Sequence, residues 1–350
     1  MKISIITFPK AINYGTALQA AALKKKLEDY GNEVCFLEHK CEEIEKTNRV
    51  FDFHEALNPK YALAHLYNLP VALKRKNNFK AFQQKYMSFS NAAPDSFDAV
   101  VAGSDQVWNY RLTADDWFYF LDFKKNNTKK VAYAGSFGLS NIPDDKKQKT
   151  KECLADFDFL SVREQTAKDL IENEFGLTSD LVVDPTFLLN KTDWEQLYNK
   201  DLYSDGYIYV YNVVYSPTVW EFAYKLAEKT GKKIRTVCYS KIHKPNAECC
   251  FTAGPSEWLS HLSGADYVVT NSFHGVAFSI NFNKQFFFEL PPEKLGVGSR
   301  IVDITTRYGL RERELSIADM DATIDYTYTN QKLAEDRKNS EKFIKQFLRN

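Results

Sequence analysis

Short apolar runs that end in small or polar residues recur through the first half of the chain. Each run has the pattern of a buried strand. Segments with helical periodicity separate them, such as the one that follows Asn13 and ends at Gly31. Strands that alternate with helices predict an α/β domain with a parallel sheet. The predicted strands are Ile3–Phe8, Glu33–Glu38, Ala99–Ala102, Lys130–Ala134, Phe157–Val162 and Leu181–Val183.

The same alternation starts again after Gly206. At 350 residues, the chain exceeds the size at which a single core keeps growing. We therefore predict two α/β domains, residues 1–190 and 191–330, with a charged amphipathic helix within residues 331–350 that crosses back onto the first. The second series has strands at Tyr207–Val213, Ile234–Tyr239, Asp266–Thr270 and Gln285–Leu290, and helices at Val219–Lys229, Pro255–Leu262 and Arg300–Tyr308.

The stretch Val268–Val276 joins a predicted strand to a predicted helix and carries His274 at the turn. In an open parallel sheet, ligands bind at the carboxyl ends of the strands, where the free N–H groups of a following helix attract anions. Gly275 permits close approach by a ligand or by another backbone. The plain alternative is a capped helix with a half-buried histidine.

The composition excludes several classes of protein. Lys plus Arg and Asp plus Glu each number 46, so no net charge attracts nucleic acid or a membrane non-specifically. The six cysteines show no metal-ligand spacing, which indicates reduced thiols of a cytosolic protein. The chain begins with a strand-like run, so we expect no signal peptide, and no stretch is long and apolar enough to span a bilayer.

The segment Phe51–Met87 combines helical periodicity with aromatic residues and positive charge. Phe79, Phe82 and Tyr86 fall on one helical face. A basic amphipathic helix can lie on an anionic bilayer, and the alternative is a helix packed on its own domain with the lysines in water. The basic residues are Lys74, Arg75, Lys76, Lys80 and Lys85.

Four short motifs occur in order along the chain. They are Gly103-Ser-Asp-Gln-Val-Trp108, Ser161-Val-Arg-Glu164, Asp184-Pro-Thr-Phe-Leu188 and Ser272-Phe-His-Gly275. In this order and at these separations, they resemble the polysaccharide pyruvyl transferase family, and the likeness spans nearly the whole chain. The predicted fold is α/β, with two Rossmann-like domains facing a cleft in a GT-B-like arrangement.

The resemblance implies transfer of the enolpyruvyl carbons of phosphoenolpyruvate onto two hydroxyls of a sugar, which gives a cyclic pyruvate ketal and phosphate. A donor with a carboxylate and a phosphate needs several fixed cations, and arginine suits planar anions best. The reaction also needs a proton for the methylene carbon and a base for the incoming hydroxyl. We expect no cofactor besides this donor substrate, and no metal.

The resemblance assigns residues to these tasks. Arg163 corresponds to the arginine that contacts the donor, and its alternative role is an ion pair with Glu164 or a helix-face charge. His274 matches the histidine that contacts the donor phosphate or acts as acid or base, and an imidazole that titrates near neutrality can do either. Lys294 lies where the family often has a donor-binding lysine. Arg300 can supply a further cation, or it is a plain solvated arginine.

Other residues of the motifs are candidates for substrate binding. Ser272 and Gly275 belong to the same motif as the histidine. Gly103 permits close approach at a strand end, Ser104 can donate to an anion, and Asp105 can accept a proton or bind sugar hydroxyls. A helix N-cap at Ser104 or Asp105 is the alternative.

The N-terminal helix start and two further motif residues complete the candidates. Asn13 and Gly15, together with Gln19, resemble the family's N-terminal signature, and their amides can face the acceptor sugar. Trp108 can stack on a pyranose ring, or it packs in the core. Asp184 before a proline fixes a turn and is not expected to be catalytic.

We therefore predict a cytoplasmic pyruvyl transferase of exopolysaccharide biosynthesis, with the acceptor on the first domain and phosphoenolpyruvate on the second. We expect a lipid-linked sugar as acceptor, peripheral contact with the inner membrane surface, and no nucleic-acid partner. One alternative is a GT-B glycosyltransferase that uses a nucleotide sugar, because fold alone does not determine function. The other is a non-catalytic glycan-binding protein of the same fold.

Overall fold

The computed structural model describes residues 1–47, 59–124, 126–198, 206–239, 244–292 and 298–349. The helices in these ranges are Tyr14–Asp29, Glu42–Thr47, Pro59–Tyr86, Tyr110–Thr113, Asp144–Ala155, Gln165–Phe175, Pro185–Leu188, Lys191–Trp194, Pro217–Thr230, Pro255–Gly264, Phe273–Asn281, Ser299–Arg307 and Thr327–Arg349. They alternate with two sets of strands, which form two separate sheets.

The first sheet has seven strands in the order β3-β2-β1-β4-β5-β6-β7, and neighbouring strands pair in parallel. The residues of β4 are all buried, which fits a sheet covered on both faces. The order turns back at β1, so the loops after β1 and β4 diverge at the carboxyl edge and leave room for a ligand. The strands are β1 Lys2–Ile6, β2 Glu33–Leu37, β3 Phe89–Ser90, β4 Ala99–Ala102, β5 Lys129–Gly135, β6 Phe159–Val162 and β7 Asp180–Leu181.

The second sheet has five parallel strands in the order β10-β9-β8-β11-β12. Its order turns back at β8, so the loops after β8 and β11 form the corresponding carboxyl edge. The strands are β8 Ile208–Tyr211, β9 Ile234–Val237, β10 Ala247–Cys250, β11 Tyr267–Thr270 and β12 Gln285–Phe288.

The C-terminal helix Thr327–Arg349 packs on the first sheet, although the strands of the second sheet precede it in sequence. The ring of Phe343 lies 6.2 Å from that of Tyr133 on β5. The hydroxyl of Ser340 accepts a hydrogen bond of 2.9 Å from the backbone N–H of Val183. The last helix therefore ties the end of the chain to the N-terminal sheet.

The long helix Pro59–Tyr86 also joins the two halves of the chain. Arg75 is buried, and its guanidinium donates hydrogen bonds to the backbone carbonyls of Cys238 at 2.6 Å and Phe251 at 2.5 Å. Both acceptors belong to the second sheet and its loops. The prediction of a basic surface face is therefore wrong for Arg75, which is an internal clamp.

The exposed side of this helix combines apolar and basic residues. Among its described side chains, Leu66, Tyr67 and Leu73 are 60%, 64% and 46% exposed. The neighbouring Lys74, Lys76 and Lys80 are also exposed. Phe79 and Phe82, on the other side, belong to the core, and residues 51–58 of the predicted segment lie outside the described residues. No helix in the described part of the chain combines the length and apolar content needed to span a bilayer.

Candidate functional site

Arg163 lies at the centre of a buried cluster of charged side chains. It follows β6, and its own side chain is completely buried. Its guanidinium is 2.7 Å from Asp184, 3.4 Å from Glu164 and 3.5 Å from Asp105. Burial opposes the charge, but the three carboxylates raise the pKa of Arg163 above its usual value. The predicted alternative, an ion pair with Glu164, is thus present, and a closer pair with Asp184 accompanies it.

Asp184 connects this cluster to the fold. Its Oδ1 accepts hydrogen bonds from the backbone N–H and the hydroxyl of Thr186 at 2.9 and 2.8 Å, so it caps the helix Pro185–Leu188. Its Oδ2 accepts from the Ser104 hydroxyl at 3.0 Å, as well as from Arg163. Burial favours the neutral acid, but Arg163 holds the pKa of Asp184 below its usual range. The turn-fixing role was predicted, and the buried ion pair was not.

His274 lies in the first turn of the helix Phe273–Asn281. Ser272 caps that helix, because its hydroxyl accepts a hydrogen bond of 3.3 Å from the N–H of Gly275. Nε2 of His274 is buried and has no hydrogen-bond partner among the residues that the structure describes. Burial lowers the pKa of His274 to about 4, so the ring is neutral at pH 7. This differs from the titration near neutrality that we expected for an imidazole.

The imidazole of His274 packs on the first turn of the helix Tyr14–Asp29, which belongs to the other half of the chain. A β-carbon built on Gly15 would lie 2.0 Å from Nδ1 of His274. Only glycine leaves room for the ring at this point. Gly15 was predicted to contact the substrate, but the structure places it against the histidine.

Asp105 follows β4 and has an unusual backbone conformation. Its φ of +84° is uncommon for a residue other than glycine, and such strain is concentrated at functional sites. The hydroxyl of Thr16 donates to its Oδ2 at 2.5 Å, and the N–H of Gln106 donates to its Oδ1 at 2.9 Å. Burial favours the neutral acid, but Arg163 holds the pKa of Asp105 below its usual range. Asp105 is therefore a fixed, ionised carboxylate.

Arg300 lies in the first turn of the helix Ser299–Arg307 and is buried. Its Nε has no hydrogen-bond partner, and no carboxylate of the described residues lies within 4.0 Å of its side-chain nitrogens. Its guanidinium lies 5.6 Å from the ring centre of Phe273. Burial, assisted by the charge of Arg163, lowers the pKa of Arg300 to about 10. The carboxylates of Glu164, Asp105 and Asp184 favour the charge but do not offset burial. Arg300 is thus still charged at neutral pH, and it has no counter-charge at ion-pair distance among the described residues.

Five of the predicted residues line one cleft of about 370 Å³, formed by loops of both halves of the chain. The helices Tyr14–Asp29, Phe273–Asn281 and Ser299–Arg307 all begin at this cleft. Helix N-termini offer free N–H groups and a positive partial charge, both of which favour an anionic ligand. The five residues are Asn13, Asp105, Ser272, His274 and Arg300.

Three other predicted residues serve the protein's own packing instead of a ligand. Ser104 is completely buried, and its hydroxyl is hydrogen-bonded within the charged cluster. A β-carbon at Gly103 would lie 3.1 Å from Ile5, and one at Gly275 would lie 2.4 Å from Thr270. The space beside each glycine is therefore filled by a side chain of a neighbouring strand. We had predicted that these glycines contact the substrate. Lys294 lies outside the described residues.

Two residues that were considered for the acceptor sugar are buried. Trp108 is inaccessible to solvent, and its indole N–H donates to the carbonyl of Tyr119 at 3.3 Å. Gln19 is also inaccessible, and its amide donates to the hydroxyl of Thr7 at 3.2 Å. Neither side chain can stack on a sugar or bind one. The core packing considered for Trp108 is confirmed.

Asn271 lines the cleft and was not predicted. Its Oδ1 accepts a hydrogen bond of 2.9 Å from the N–H of Val213, and its Nδ2 donates to the carbonyl of Val214 at 2.5 Å. It therefore fixes the loop after β8 against the end of β11. Its position directly before Ser272 was the available sequence signal.

The described residues contain no group of three or more His, Cys, Asp or Glu side chains that is arranged to hold a metal ion. All six cysteines are free thiols. The polar groups of the cleft are thus an arginine, a neutral histidine, an ionised carboxylate and amide or hydroxyl side chains. This set suits an anionic ligand that also exchanges protons.

Comparisons with solved structures identify the fold. The chain is similar to a putative UDP-N-acetylglucosamine 2-epimerase from Listeria monocytogenes, with 10% identity, coverage of 98% of this chain and 90% of that one, and a TM-score of 0.50. A UDP-GlcNAc 2-epimerase from Methanocaldococcus jannaschii has 15% identity, full coverage of both chains and a TM-score of 0.47. At such identities the likeness concerns the fold alone. With the two parallel sheets, it confirms the predicted GT-B-like α/β fold.

Sequence comparison identifies the family. No match among curated proteins was found. The family model described as "Polysaccharide pyruvyl transferase" matches residues 13–288, which is most of the chain and includes all four motifs. This protein therefore belongs to the polysaccharide pyruvyl transferase family.

Proposed function

We propose that this protein transfers the enolpyruvyl group of phosphoenolpyruvate onto two hydroxyls of a sugar in a cell-surface polysaccharide precursor. The products are a cyclic pyruvate ketal and phosphate. One observation carries this proposal. Arg300 and His274 line the same cleft, and each has a buried side-chain nitrogen without a hydrogen-bond partner among the described residues. Membership of the family supports a transferase that acts in polysaccharide synthesis.

The donor is expected to bind where Arg300 meets the start of the helix Phe273–Asn281. Phosphoenolpyruvate carries two anionic groups, and a buried guanidinium next to free helix N–H groups can bind one or both of them. Arg163 is less suited to direct contact, because three carboxylates already surround its guanidinium. We propose that Arg163 instead fixes the position of Asp105 beside the donor.

The proposed reaction has two stages. First, the methylene carbon of the donor takes a proton, and a sugar hydroxyl adds to the adjacent carbon while its own proton passes to a base. Second, the other hydroxyl attacks the same carbon, the bond to the phosphate oxygen breaks, and phosphate leaves with the bonding electrons and takes up the second hydroxyl's proton. The donor carbon that carried the phosphate oxygen becomes the ketal carbon, which is bonded to a methyl and a carboxylate group.

Two residues of the cleft can move the first-stage protons. Asp105 is ionised and fixed, so it can accept the hydroxyl proton. His274 is neutral in the unliganded protein, but the negative charge of a bound phosphate raises a neighbouring imidazole pKa. Donor binding would therefore protonate His274, which could then deliver the proton to the methylene carbon.

We further propose a lipid-linked sugar acceptor that the protein meets at the cytoplasmic face of the membrane. The exposed side of the helix Pro59–Tyr86 supports this proposal. Its apolar side chains could enter the interface of a bilayer, and its lysines could bind anionic headgroups. These residues are Leu66, Tyr67, Leu73, Lys74, Lys76 and Lys80.

Donor binding tests the reaction class. Phosphoenolpyruvate at about a hundredfold above its dissociation constant should stabilise the folded protein by roughly 2.7 kcal/mol, whereas a ligand that does not bind adds nothing. We expect a thermal shift with phosphoenolpyruvate and none with UDP or GDP. The reverse result would favour a glycosyltransferase, and no shift with any donor would favour a glycan-binding protein.

His274→Gln tests the chemistry separately from binding. The variant keeps a polar side chain but cannot titrate. It should retain most of the donor-induced thermal shift, while phosphate release in the presence of a competent sugar acceptor falls by roughly a hundredfold or more. Normal turnover by a folded variant would show that His274 is structural.

A further inference from the structure

A second cavity, of about 430 Å³, lies behind the Phe273–Arg300 pair. Phe273 and Arg300 are the residues that line both this cavity and the cleft of the proposed reaction. Its other walls come from β7 and the residues after it, and from the helix Ser299–Arg307. The apolar lining residues are Leu181, Val182, Val183, Phe187, Val302 and Ile304. Its volume is within the range of small-molecule sites.

Most charged groups of this cavity already have a partner of opposite charge or a hydrogen bond. Asp303 accepts hydrogen bonds from the N–H and hydroxyl of Thr166 at 3.1 and 2.9 Å. Arg307 pairs with Asp336 at 2.6 Å. Arg163 is surrounded by the three carboxylates described above. Nη2 of Arg163 and Nε of Arg300 are both buried without a hydrogen-bond partner among the described residues. Nη2 of Arg163 still lies 3.5 Å from Asp105, whereas no carboxylate of the described residues lies within 4.0 Å of the Arg300 nitrogens.

A buried guanidinium without a counter-charge at ion-pair distance is unfavourable, and a directly bound anion reduces this penalty. In this cavity, the rest of the ligand would contact aliphatic side chains, which favour apolar atoms. We propose that this second cavity binds an amphiphilic anion, with its charged end at Arg300 and its apolar body against Leu181, Val183 and Ile304.

The shared arginine also predicts how the two cavities influence each other. A guanidinium that binds an anion in the second cavity is less available to an anion in the cleft. The coupling is therefore negative and, because it concerns equilibrium binding, it is reciprocal. A compact amphiphilic anion would act as an inhibitor without entering the reaction cleft.

Octanoate is a suitable probe, because it joins a carboxylate to an apolar chain that fits the cavity. Octanamide has the same length and shape without the charge. By isothermal titration of the full chain, octanoate should bind at least tenfold more tightly than octanamide. In Arg300→Gln, this preference should disappear. These measurements need neither turnover nor phosphoenolpyruvate, so their outcome is independent of the proposed reaction.

Variants locate the bound probe. Thr306→Trp introduces a large side chain at an exposed position that lines only the second cavity, and it should weaken octanoate binding at least tenfold. Val302→Trp, at a less exposed position of the same cavity, should do the same and serves as the second variant. Leu112 lines the cleft but not the second cavity, so Leu112→Trp is the control. Its dissociation constant for octanoate should stay within twofold of that of the unmodified protein. Equal binding of octanoate and octanamide to the unmodified protein, or undiminished octanoate binding to both tryptophan variants, would overturn the proposal.

Discussion

The guanidinium groups of Arg163 and Arg300 lie over the same aromatic ring, 4.7 and 5.6 Å from the centre of Phe273. Only Arg163 has carboxylates of the described residues within ion-pair distance. The two arginines therefore have different energetic roles, although both are buried. The charge of Arg163 is compensated by close carboxylates, whereas burial disfavours the charge of Arg300 and lowers its pKa to about 10.

Substitution of the two arginines should separate these roles. Arg163→Ala leaves buried carboxylates unpaired, and breaking a buried ion pair costs about 3–5 kcal/mol of unfolding free energy. Arg300→Ala removes an unbalanced charge, so its unfolding free energy should be unchanged or higher. Urea unfolding of both variants measures the difference. Arg300→Ala should also lose the thermal shift given by phosphoenolpyruvate. Equal destabilisation of the two variants would contradict this assignment.

A methyl group at Gly15 should disturb the position of His274. The new β-carbon of Gly15→Ala would overlap the imidazole, so the ring has to move away from the helix Tyr14–Asp29. We expect phosphate release to fall at least tenfold while the protein remains folded. Gly298→Ala is the control, because among the described residues its β-carbon would meet only the carbonyl of Pro291, at 3.7 Å. Full activity of Gly15→Ala would show that the contact with His274 is unimportant.

The buried histidine should also make the folded state sensitive to acid. The pKa of His274 is about 4 in the folded protein and 6.5 ordinarily. Between these values the unfolded chain binds the proton more readily, so the free energy of unfolding falls as the pH falls from 6.5 to 4. At pH 5, which is 1.5 units below the ordinary pKa of 6.5, the free energy of unfolding is lower by about 2 kcal/mol, because one pKa unit corresponds to about 1.36 kcal/mol.

Denaturant unfolding of His274→Gln at pH 5 and pH 8 tests this sensitivity. The variant should lose less stability than the unmodified protein between the two values. His261→Gln gives a comparison away from the cleft, because burial also lowers the pKa of His261 to about 4. An unaltered pH dependence in His274→Gln would mean that His274 keeps its ordinary pKa in the folded protein.

Membrane contact should depend on the exposed lysines and not on Arg75. Replacing Lys74, Lys76 and Lys80 together with Gln should lower sedimentation with anionic vesicles and leave the melting temperature nearly unchanged. Arg75→Gln is the matched contrast. It removes internal hydrogen bonds, so it should lower the melting temperature with little direct effect on vesicle binding. Unchanged vesicle binding by the triple variant would show that these lysines do not mediate membrane contact.

The sequence predicted the elements whose pattern is strong and local. Ala99–Ala102 was predicted to the residue, because it is apolar throughout and buried on both faces. The strand Ala247–Cys250 was not predicted, because it lies at a sheet edge and includes the exposed Glu248. The helix Asp144–Ala155 was also missed, because it buries only Thr150, Cys153 and Leu154. Such elements are determined by tertiary contacts more than by their own pattern.

Site prediction from the sequence was limited in the same way. The motifs located Asp105 and His274, because polar residues after strands gather at one edge of a sheet, and Arg300 was found from its place at the start of a predicted helix. Whether a side chain faces the cleft or the interior depends on partners far along the chain. Ser104, for example, is hydrogen-bonded to Asp184, which lies 80 residues away. Whether a buried arginine has a carboxylate nearby also depends on residues far along the chain. No sequence signal therefore showed that Arg163 has such partners and Arg300 does not.

The clamp made by Arg75 has a consequence for how this protein can diverge. Its guanidinium binds backbone carbonyls of Cys238 and Phe251, so the contact does not depend on which side chains those positions carry. Substitutions there can accumulate without breaking the link between the two halves, whereas a change of the arginine cannot be compensated by a partner side chain. Among relatives with this clamp, we expect a constant arginine that shows no covariation with the residues it touches.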